Sequence, residues 1–168
     1  MQELKKRDVV IIATGGTFDK YYPEGKGVRD FKFPKRTAAH RILKRIRFEG
    51  AKVINLFAMD SLDMKPEDQE RIAHECSIHT DCAIIITHGT DKMISTARCI
   101  AKRNLANPIV ITGSSQPAIA HETDADTNLA GAIAVAQAVQ DGVYIHMHGT
   151  TYGWNRCKKA ESGKFESA

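Results

Sequence analysis

The chain has 168 residues and a formal net charge of +4, which suits one domain with a sizeable core. Hydrophobic residues make up 42% and charged residues 26%, as in an ordinary soluble globular protein. No apolar run is long enough to cross a membrane, and the N-terminus, MQELKKRD, has no signal-peptide pattern. These features argue against a membrane protein and predict a cytoplasmic one.

The basic residues are spread along the chain without a nucleic-acid-binding motif, so we expect no nucleic-acid partner. The basic segment 35–47 is interleaved with apolar residues, as on a helix with one solvated face. The four cysteines form no CxxC pair, and the histidines have no ligand spacing with carboxylates or thiols. We therefore expect reduced thiols and no metal site.

Buried-strand patterns alternate with helical patterns along the chain. The first strand contains VVIIA and the third reads CAIIIT, both wholly apolar apart from the final threonine. Pro66 followed by two acidic residues marks a helix start, and Gly50 marks a helix end. The predicted strands are 9–13, 52–57, 82–87, 108–112 and 142–148, and the predicted helices are 37–48, 66–80, 92–104 and 124–140. We expect the polar, basic tail, 150–168, to be partly ordered.

Strands that alternate with helices favour a parallel sheet that is covered on both faces. We therefore predict an α/β fold: a doubly wound, mainly parallel sheet of five strands with helices on both faces, in the flavodoxin-like order. In that order the first and third strands flank the crevice in which ligands bind. The whole chain, 1–168, would then form a single domain.

Polar side chains follow four of the predicted strands, and all would lie at one edge of the sheet. They are Thr17, Ser61, Thr90 with Asp91, and Ser114 with Gln116. The strand order would bring Thr17 opposite Thr90 and Asp91. Thr and Asp are also common helix N-caps, which is a simple explanation for any one of them. Helix N-caps readily explain a polar group after one strand, but less readily polar groups after four strands. The pattern therefore favours a functional site.

Residues 18–33, which include Tyr21 and Tyr22, have no clear period and form a loop that is long for a compact domain. Loops of this length are usually functional, for example as lids. The preceding glycine pair in TGGT, 14–17, lets the backbone turn sharply and exposes Thr17. This loop lacks the G-x-G-x-x-G and P-loop patterns, so it is only a weak nucleotide-binding signal.

Two threonines, an aspartate and a lysine suggest nucleophilic acyl chemistry. A threonine hydroxyl becomes an effective nucleophile when a base takes its proton. A lysine can be that base if burial or a nearby charge lowers its pKa. The candidates are Lys158 and Lys159, for which a solvated tail lysine is the alternative. His88 at the end of the third strand is equally well explained as a hydrogen-bonded structural residue.

Two motifs resemble a known family. ATGGT at 13–17 and ITHGTD at 86–91 look like the signature motifs of the bacterial-type L-asparaginases, the asparaginase/glutaminase family. SLDM at 61–64 resembles the family's substrate-binding Ser-Gln-Asp-Met, and Asp124 with Asn128-Leu129 resembles a helix start of the family. The segment 142–159 looks like the one that carries the family's catalytic lysine. The resemblance covers the chain from Val9 to about Lys159.

The resemblance implies an amidohydrolase that converts L-asparagine into L-aspartate and ammonia without a cofactor. Thr17 would be the nucleophile, assisted by Tyr22 in preference to Tyr21. Thr90, Asp91 and Lys159 would form a second triad, with Lys159 as the base. The implied substrate-binding residues are Gly16, Asp60, Ser61, Gly89 and Asp91. Ser61 would bind the α-carboxylate and Asp91 the α-amino group, with backbone N–H groups near Gly89 and Thr90 as oxyanion donors.

Three positions depart from the family pattern. Leu62 replaces a substrate-binding glutamine, Lys92 replaces a threonine after the aspartate, and Lys158 replaces a common threonine beside the catalytic lysine. An additional ammonium group near the site would change its electrostatic field. Long members have a second domain, whereas this chain resembles the short single-domain members. We therefore expect it to be complete and, as in the family, a homo-oligomer.

Two other functions are compatible with the same residues. The chain could be a non-catalytic binder of a small amino acid that has kept its pocket and lost turnover. It could also be an amidase for a different amide, such as glutamine or a modified asparagine, because Leu62 removes a contact to the bound amino acid. A binder would release no ammonia, which distinguishes it from an enzyme. An amidase for a different amide would be distinguished from an asparaginase by its substrate preference.

Overall fold

The computed structural model describes residues 7–25, 27 and 30–168. Predictions that involve residues 1–6, and those for Lys26, Val28 and Arg29 in the 18–33 loop, lie outside the described residues. The strands are β1 (Asp8–Gly15), β2 (Ala51–Met59), β3 (Cys82–Thr87), β4 (Pro108–Thr112), β5 (Gly142–Met147), β6 (Thr150–Gly153), β7 (Cys157–Lys159) and β8 (Phe165–Ser167). The helices are α1 (Ala39–Arg45), α2 (Pro66–Ser77), α3 (Met93–Ala101) and α4 (Ala125–Ala138). No helix in these ranges is long and apolar enough to cross a membrane.

The central sheet has the order β2-β1-β3-β4-β5-β6, and β1 to β5 pair in parallel. The predicted doubly wound α/β fold is therefore confirmed. The chain runs from β1 outward to β2 and then crosses to the other side of β1 to form β3. This reversal places the crevice between the carboxyl ends of β1 and β3, as predicted.

Apolar residues of β1 face both ways, which explains its uninterrupted apolar sequence. Val10 and Ile12 pack in the core layer that contains α2 and α3. Val9 and Ile11 pack in the layer that contains α1 and α4. Because successive side chains of a strand alternate between these two layers, β1 is held rigidly at the centre of the sheet. The loop that follows β1 therefore starts from a fixed point.

The number of strands in the main sheet was predicted wrongly, because a sixth strand, β6, pairs antiparallel with β5. His148 and Gly149 connect the two strands and have φ angles of 52° and 77°. Two consecutive positive φ angles are characteristic of the type I′ hairpin turn, which matches the twist of the strands it joins. The usual sequence for this turn is Asn-Gly or Asp-Gly, so His-Gly does not stand out as a hairpin signal.

The polar tail is also more ordered than predicted. Strands β7 and β8 form an antiparallel hairpin in which Lys159 pairs with Phe165. Cys157 and Phe165 are buried in the core layer of α2 and α3, and the Tyr152 hydroxyl donates to the Phe165 carbonyl at 3.0 Å. These few apolar contacts fix the hairpin, which in turn carries Lys159 to the carboxyl edge of the sheet.

Candidate active site

Three loops meet at this edge with almost no space between their backbones. A methyl group on Gly16 would lie 2.5 Å from Gly89 Cα, and one on Gly89 would lie 2.6 Å from Ser61 Cβ. The loops after β1, β2 and β3 therefore stack directly on one another. Thr17 and Thr90 each follow one of the touching glycines. The predicted meeting of the two threonine side chains stays a prediction.

Thr17 begins a 3-10 turn, Thr17–Asp19, that is anchored to α1. The buried Asp19 carboxylate accepts hydrogen bonds from the Thr37 hydroxyl at 2.8 Å and from the Ala38 N–H at 2.7 Å. Burial raises the pKa of Asp19, although these two hydrogen bonds act against the rise. Asp19 thus ties the turn that carries Thr17 to the start of α1. It also accounts for the late start of this helix, since Thr37 is engaged with Asp19.

Lys159 contacts both polar residues of the loop after β3. Its Nζ lies 2.8 Å from Thr90 Oγ1 and 2.7 Å from Asp91 Oδ1. The structure therefore brings Thr90, Asp91 and Lys159 into one hydrogen-bonded group, although Lys159 comes from the β7–β8 hairpin, 69 positions after Thr90. Thr90 and Lys159 also line an open cleft of about 560 Å³, so small molecules can reach the group.

Lys158 points away from this group. Its ammonium lies 3.3 Å from a carboxylate oxygen of Glu166, and its side chain is 59% exposed. Neighbouring residues of a strand face opposite sides, so only one of the two lysines can reach Thr90. Lys158 is therefore paired with Glu166, and not with Thr90 or Asp91.

The Ser61 hydroxyl is buried and makes no hydrogen bond within the part of the chain that the structure describes. Buried hydroxyl groups normally have a partner, so the lack of one among the described residues makes Ser61 a candidate ligand contact. The neighbouring residue Leu62 is 67% exposed. Tyr22 is 43% exposed, and among the described residues no hydrogen bond joins its hydroxyl to Thr17, so its assisting role stays a prediction.

Asn128 holds two further loops at the same edge. Its side-chain amide donates to the Gly113 carbonyl at 3.0 Å and to Asp124 at 2.9 Å, and its oxygen accepts from the His148 N–H at 2.9 Å. Asp124 in turn accepts hydrogen bonds from the backbone N–H groups of the loop after β4, at Ser115 and Gln116. The motif that predicts the start of α4 therefore also shapes two site loops.

His88 is a structural residue. Its ring is fully buried, with Nδ1 2.7 Å from the Gly89 carbonyl oxygen and Nε2 3.0 Å from Thr96 Oγ1. We infer that Nδ1 carries the proton, because a carbonyl only accepts. A peptide group is planar, so fixing the Gly89 carbonyl towards His88 directs the Thr90 N–H away from it. The ring thereby orients one of the predicted oxyanion donors.

His88 is expected to make the protein less stable in mild acid. Burial lowers its pKa to about 4, although the hydrogen bond with Gly89 acts against this. The unfolded chain binds this proton near pH 6.5 and the folded chain does not, so stability present above pH 6.5 is lost as the pH falls towards 4. Between pH 7 and pH 5 the loss attributable to His88 is about 2 kcal/mol.

Urea unfolding of the wild type and His88→Gln at both pH values measures this contribution. The difference in pH dependence between the two proteins isolates His88, because burial also lowers the pKa of His146 and raises that of Asp19. The exposed His74 provides the control variant, His74→Gln. An equal pH dependence in the wild type and His88→Gln would contradict the assignment of a buried neutral ring.

One charged residue near the site was missed in the sequence. Lys20, three residues after Thr17, forms an ion pair with Asp60 directly before Ser61. Its only sequence signal was its position in the aperiodic 18–33 loop, and no spacing rule predicts a partner 40 residues away.

Comparison with known proteins shows the family and the fold of the chain. The sequence profile of the family described as "Asparaginase, N-terminal" matches residues 8–167. The chain belongs to the asparaginase family. Among asparaginase relatives, L-asparaginase 1 of Escherichia coli K12 is 35% identical over 114 residues, which are 65% of this chain and 34% of that protein.

A second group of relatives carries a different name. A glutamyl-tRNA(Gln) amidotransferase subunit from Pyrococcus abyssi is 31% identical over 149 residues, 86% of this chain and 34% of that protein. The chain thus spans about a third of the length of these curated relatives. The names of the two groups of relatives indicate different activities.

Solved structures show the same fold. The thermostable L-asparaginase from Thermococcus kodakarensis superimposes with a TM-score of 0.78 at 27% identity, covering 95% of this chain and 50% of that one. A probable cytoplasmic L-asparaginase from Campylobacter jejuni gives a TM-score of 0.79 at 21% identity, covering 96% of this chain and 53% of that one, which supports the fold alone. The asparaginase-family sheet and its loops therefore span almost the whole of this chain.

Proposed function

We propose that the chain hydrolyses the side-chain amide of L-asparagine to L-aspartate and ammonia, with Thr17 as nucleophile. The supporting observation is the Lys159–Thr90–Asp91 group beside the contact between Gly16 and Gly89. An acyl transfer needs a nucleophile and a base. Thr17 would be the nucleophile, and Lys159, bonded to Thr90 and Asp91, would be the base.

The proposed reaction has two halves. The Thr17 oxygen attacks the amide carbon, its proton passes to the departing nitrogen, and ammonia leaves an ester between Thr17 and the β-carbonyl of the substrate. Water, held by Thr90, gives a proton to the neutral amine of Lys159 and attacks the ester carbon. The bond to the Thr17 oxygen then breaks, this oxygen takes the proton back from Lys159, and aspartate leaves. The N–H groups of Gly89 and Thr90 would stabilise the oxyanion in both halves.

Substrate binding is proposed to use the residues of the stacked loops. The Ser61 hydroxyl would donate to the α-carboxylate, and Asp91 would accept from the α-amino group while holding Lys159. Gly16 and Gly89 would let the substrate approach the backbone closely, with Asp60 supporting the turn before Ser61. Tyr22, from the 18–33 loop, would assist Thr17 once substrate is bound. A cytoplasmic location, a homo-oligomeric state and the absence of a nucleic-acid partner remain predictions.

The test is ammonia release from L-asparagine, repeated with hydroxylamine in the buffer. An ester on Thr17 would be intercepted as the β-hydroxamate of aspartate, and Thr17→Ala would give neither product. Thr80, an exposed threonine at the opposite edge of the sheet, provides the control variant Thr80→Ala. Ammonia release that persists in Thr17→Ala would exclude Thr17 as the nucleophile.

A second candidate is an amidase for a different amide. The resemblance to amidotransferase subunits and the exposed Leu62, at the position of the family's substrate-binding glutamine, both favour testing it. L-Glutamine in the same assay decides between the two, by the ratio of kcat/KM values. A third outcome, a rise in melting temperature with L-asparagine but no ammonia, would identify a non-catalytic binder, because any ligand specific for the folded state stabilises it.

A further inference from the structure

Lys20 and Asp60 form an ion pair that is largely removed from water. Their side chains are 11% and 14% exposed, and the Lys20 ammonium also lies 3.9 Å from the centre of the Phe31 ring. Asp60 accepts a second hydrogen bond from the Leu62 N–H at 2.9 Å. Dehydrating two charges has a cost that often cancels their attraction, so such a pair is weak evidence for a stabilising role. Its position suggests another role.

The pair links the two turns that carry Thr17 and Ser61. Lys20 closes the 3-10 turn that begins at Thr17, and its N–H donates to the Thr17 carbonyl at 3.2 Å. Residues three apart in such a turn project from the same side, so Lys20 extends from the Thr17 side of the turn. Asp60 directly precedes Ser61, whose buried hydroxyl has no partner in the described part of the chain.

Asp60 places a negative charge on the residue directly before Ser61. Burial alone would raise the pKa of Asp60, but the hydrogen bonds from Lys20 and from the Leu62 N–H bring it below its usual value. The carboxylate is therefore ionised at neutral pH. Without a nearby cation it would repel a second carboxylate bound at Ser61, and the repulsion would be strong because little water separates the groups.

We propose that Lys20 is a specificity-determining residue that adapts the Ser61 pocket to substrates with a free carboxylate. This inference rests on the amidohydrolase function proposed above. An ammonium group has three N–H donors, so Lys20 can bind Asp60 and still face an incoming carboxylate. It cancels the charge of Asp60 and leaves the pocket attractive to an α-amino acid rather than to a simple amide.

The test compares L-asparagine with 3-aminopropanamide, which has the same amide and amine but no carboxylate. In Lys20→Met we expect KM for L-asparagine to rise about tenfold, with kcat within about threefold of the wild type. The affinity for 3-aminopropanamide should not change. It is measured as KM, or as an inhibition constant against L-asparagine. Lys20→Arg should restore most of the affinity, since it keeps the charge.

A double variant separates charge from shape. In Lys20→Met with Asp60→Asn both charges are absent, so KM for L-asparagine should fall between the wild-type value and that of Lys20→Met. Lys32→Met removes a positive charge from an exposed side chain of the same loop and controls for the general field. Melting temperatures of all variants show whether each one is folded.

Three outcomes would overturn the inference: an equal rise in KM for both compounds, a fall in kcat alone, or no change in Lys20→Met. The first two would reduce Lys20 to a residue that only supports the turn. Failure of the proposed function is distinct, because the wild type would then release no ammonia. In that case binding can be measured without turnover. Each compound is added to the wild type and to Lys20→Met, and the rise in melting temperature tests the same preference for a carboxylate.

Discussion

Lys159→Met is expected to lower kcat for L-asparagine about a thousandfold, because loss of a positioned general base typically costs about two to four orders of magnitude. Lys159 Nζ contacts Thr90 Oγ1 and Asp91 Oδ1, and methionine keeps most of the side-chain length without the amine. Stability should change by less than about 1 kcal/mol, since the pair with Asp91 is partly exposed. Steady-state ammonia release and thermal unfolding of the same preparation measure both effects.

The neighbouring lysine supplies a matched control. Lys158→Met makes the same chemical change one residue earlier, in a side chain that pairs with Glu166 on the other side of β7. It should retain wild-type turnover. A comparable loss in both variants would mean that general positive charge, rather than the contact with Thr90, supports the reaction. Activity above about a tenth of the wild type in Lys159→Met would exclude Lys159 as the base.

Gly16→Ala is expected to destabilise the fold by about 3 kcal/mol or more and to abolish activity. Gly16 has φ 69° and ψ −172°, a backbone conformation that is essentially restricted to glycine and strains other residues by about 1–3 kcal/mol. The added methyl group would also lie 2.5 Å from Gly89 Cα and 2.9 Å from the His88 carbonyl carbon. Rotation of a side chain cannot relieve these contacts, because both are with backbone atoms. Overpacking of this kind adds about 1–3 kcal/mol.

Gly25→Ala separates the two contributions. Gly25 also has a positive φ, 72°, but among the described residues that are not its chain neighbours a methyl group there would meet no atom within 4 Å. This variant should lose about 1 kcal/mol through backbone strain alone and keep its activity. Urea unfolding and ammonia release of both variants give the comparison. Equal destabilisation in the two would show that the close approach of Gly16 to Gly89 is unimportant.

Sequence patterns predicted the sheet well because its central strands are buried on both faces. A short, uninterrupted apolar run such as that of β3 is typical of a buried strand, and the helices between the strands imply parallel pairing. The close approach of Gly16 to Gly89 follows from that order, since the carboxyl ends of parallel strands share one edge. Helix ends were less accurate, because local features such as the positive φ of Arg47 and Asn104 and the bond of Thr37 to Asp19 decide them.

Contacts between distant loops could not be predicted in the same way. The sequence indicated a strand-end site, and the family resemblance favoured Lys159 over Lys158, but only strand alternation in the β7–β8 hairpin shows which lysine faces Thr90. Sequence patterns did not decide whether His88 is catalytic or structural. Its complete burial and its two hydrogen bonds decide this in the structure.

The amino-acid sequence alone determined the fold class, the strand-end location of the site and the residue types available there, because these depend on local periodicity and on the direction of parallel strands. The tertiary structure decided the β6 hairpin, the partner of Lys159 and the pairing of Lys20 with Asp60. The two side-chain pairings join residues 40 or more positions apart, where neighbouring sequence carries no information about the contact. The hairpin depends on a His-Gly turn, and these two residue types do not predict the positive φ angles of that turn.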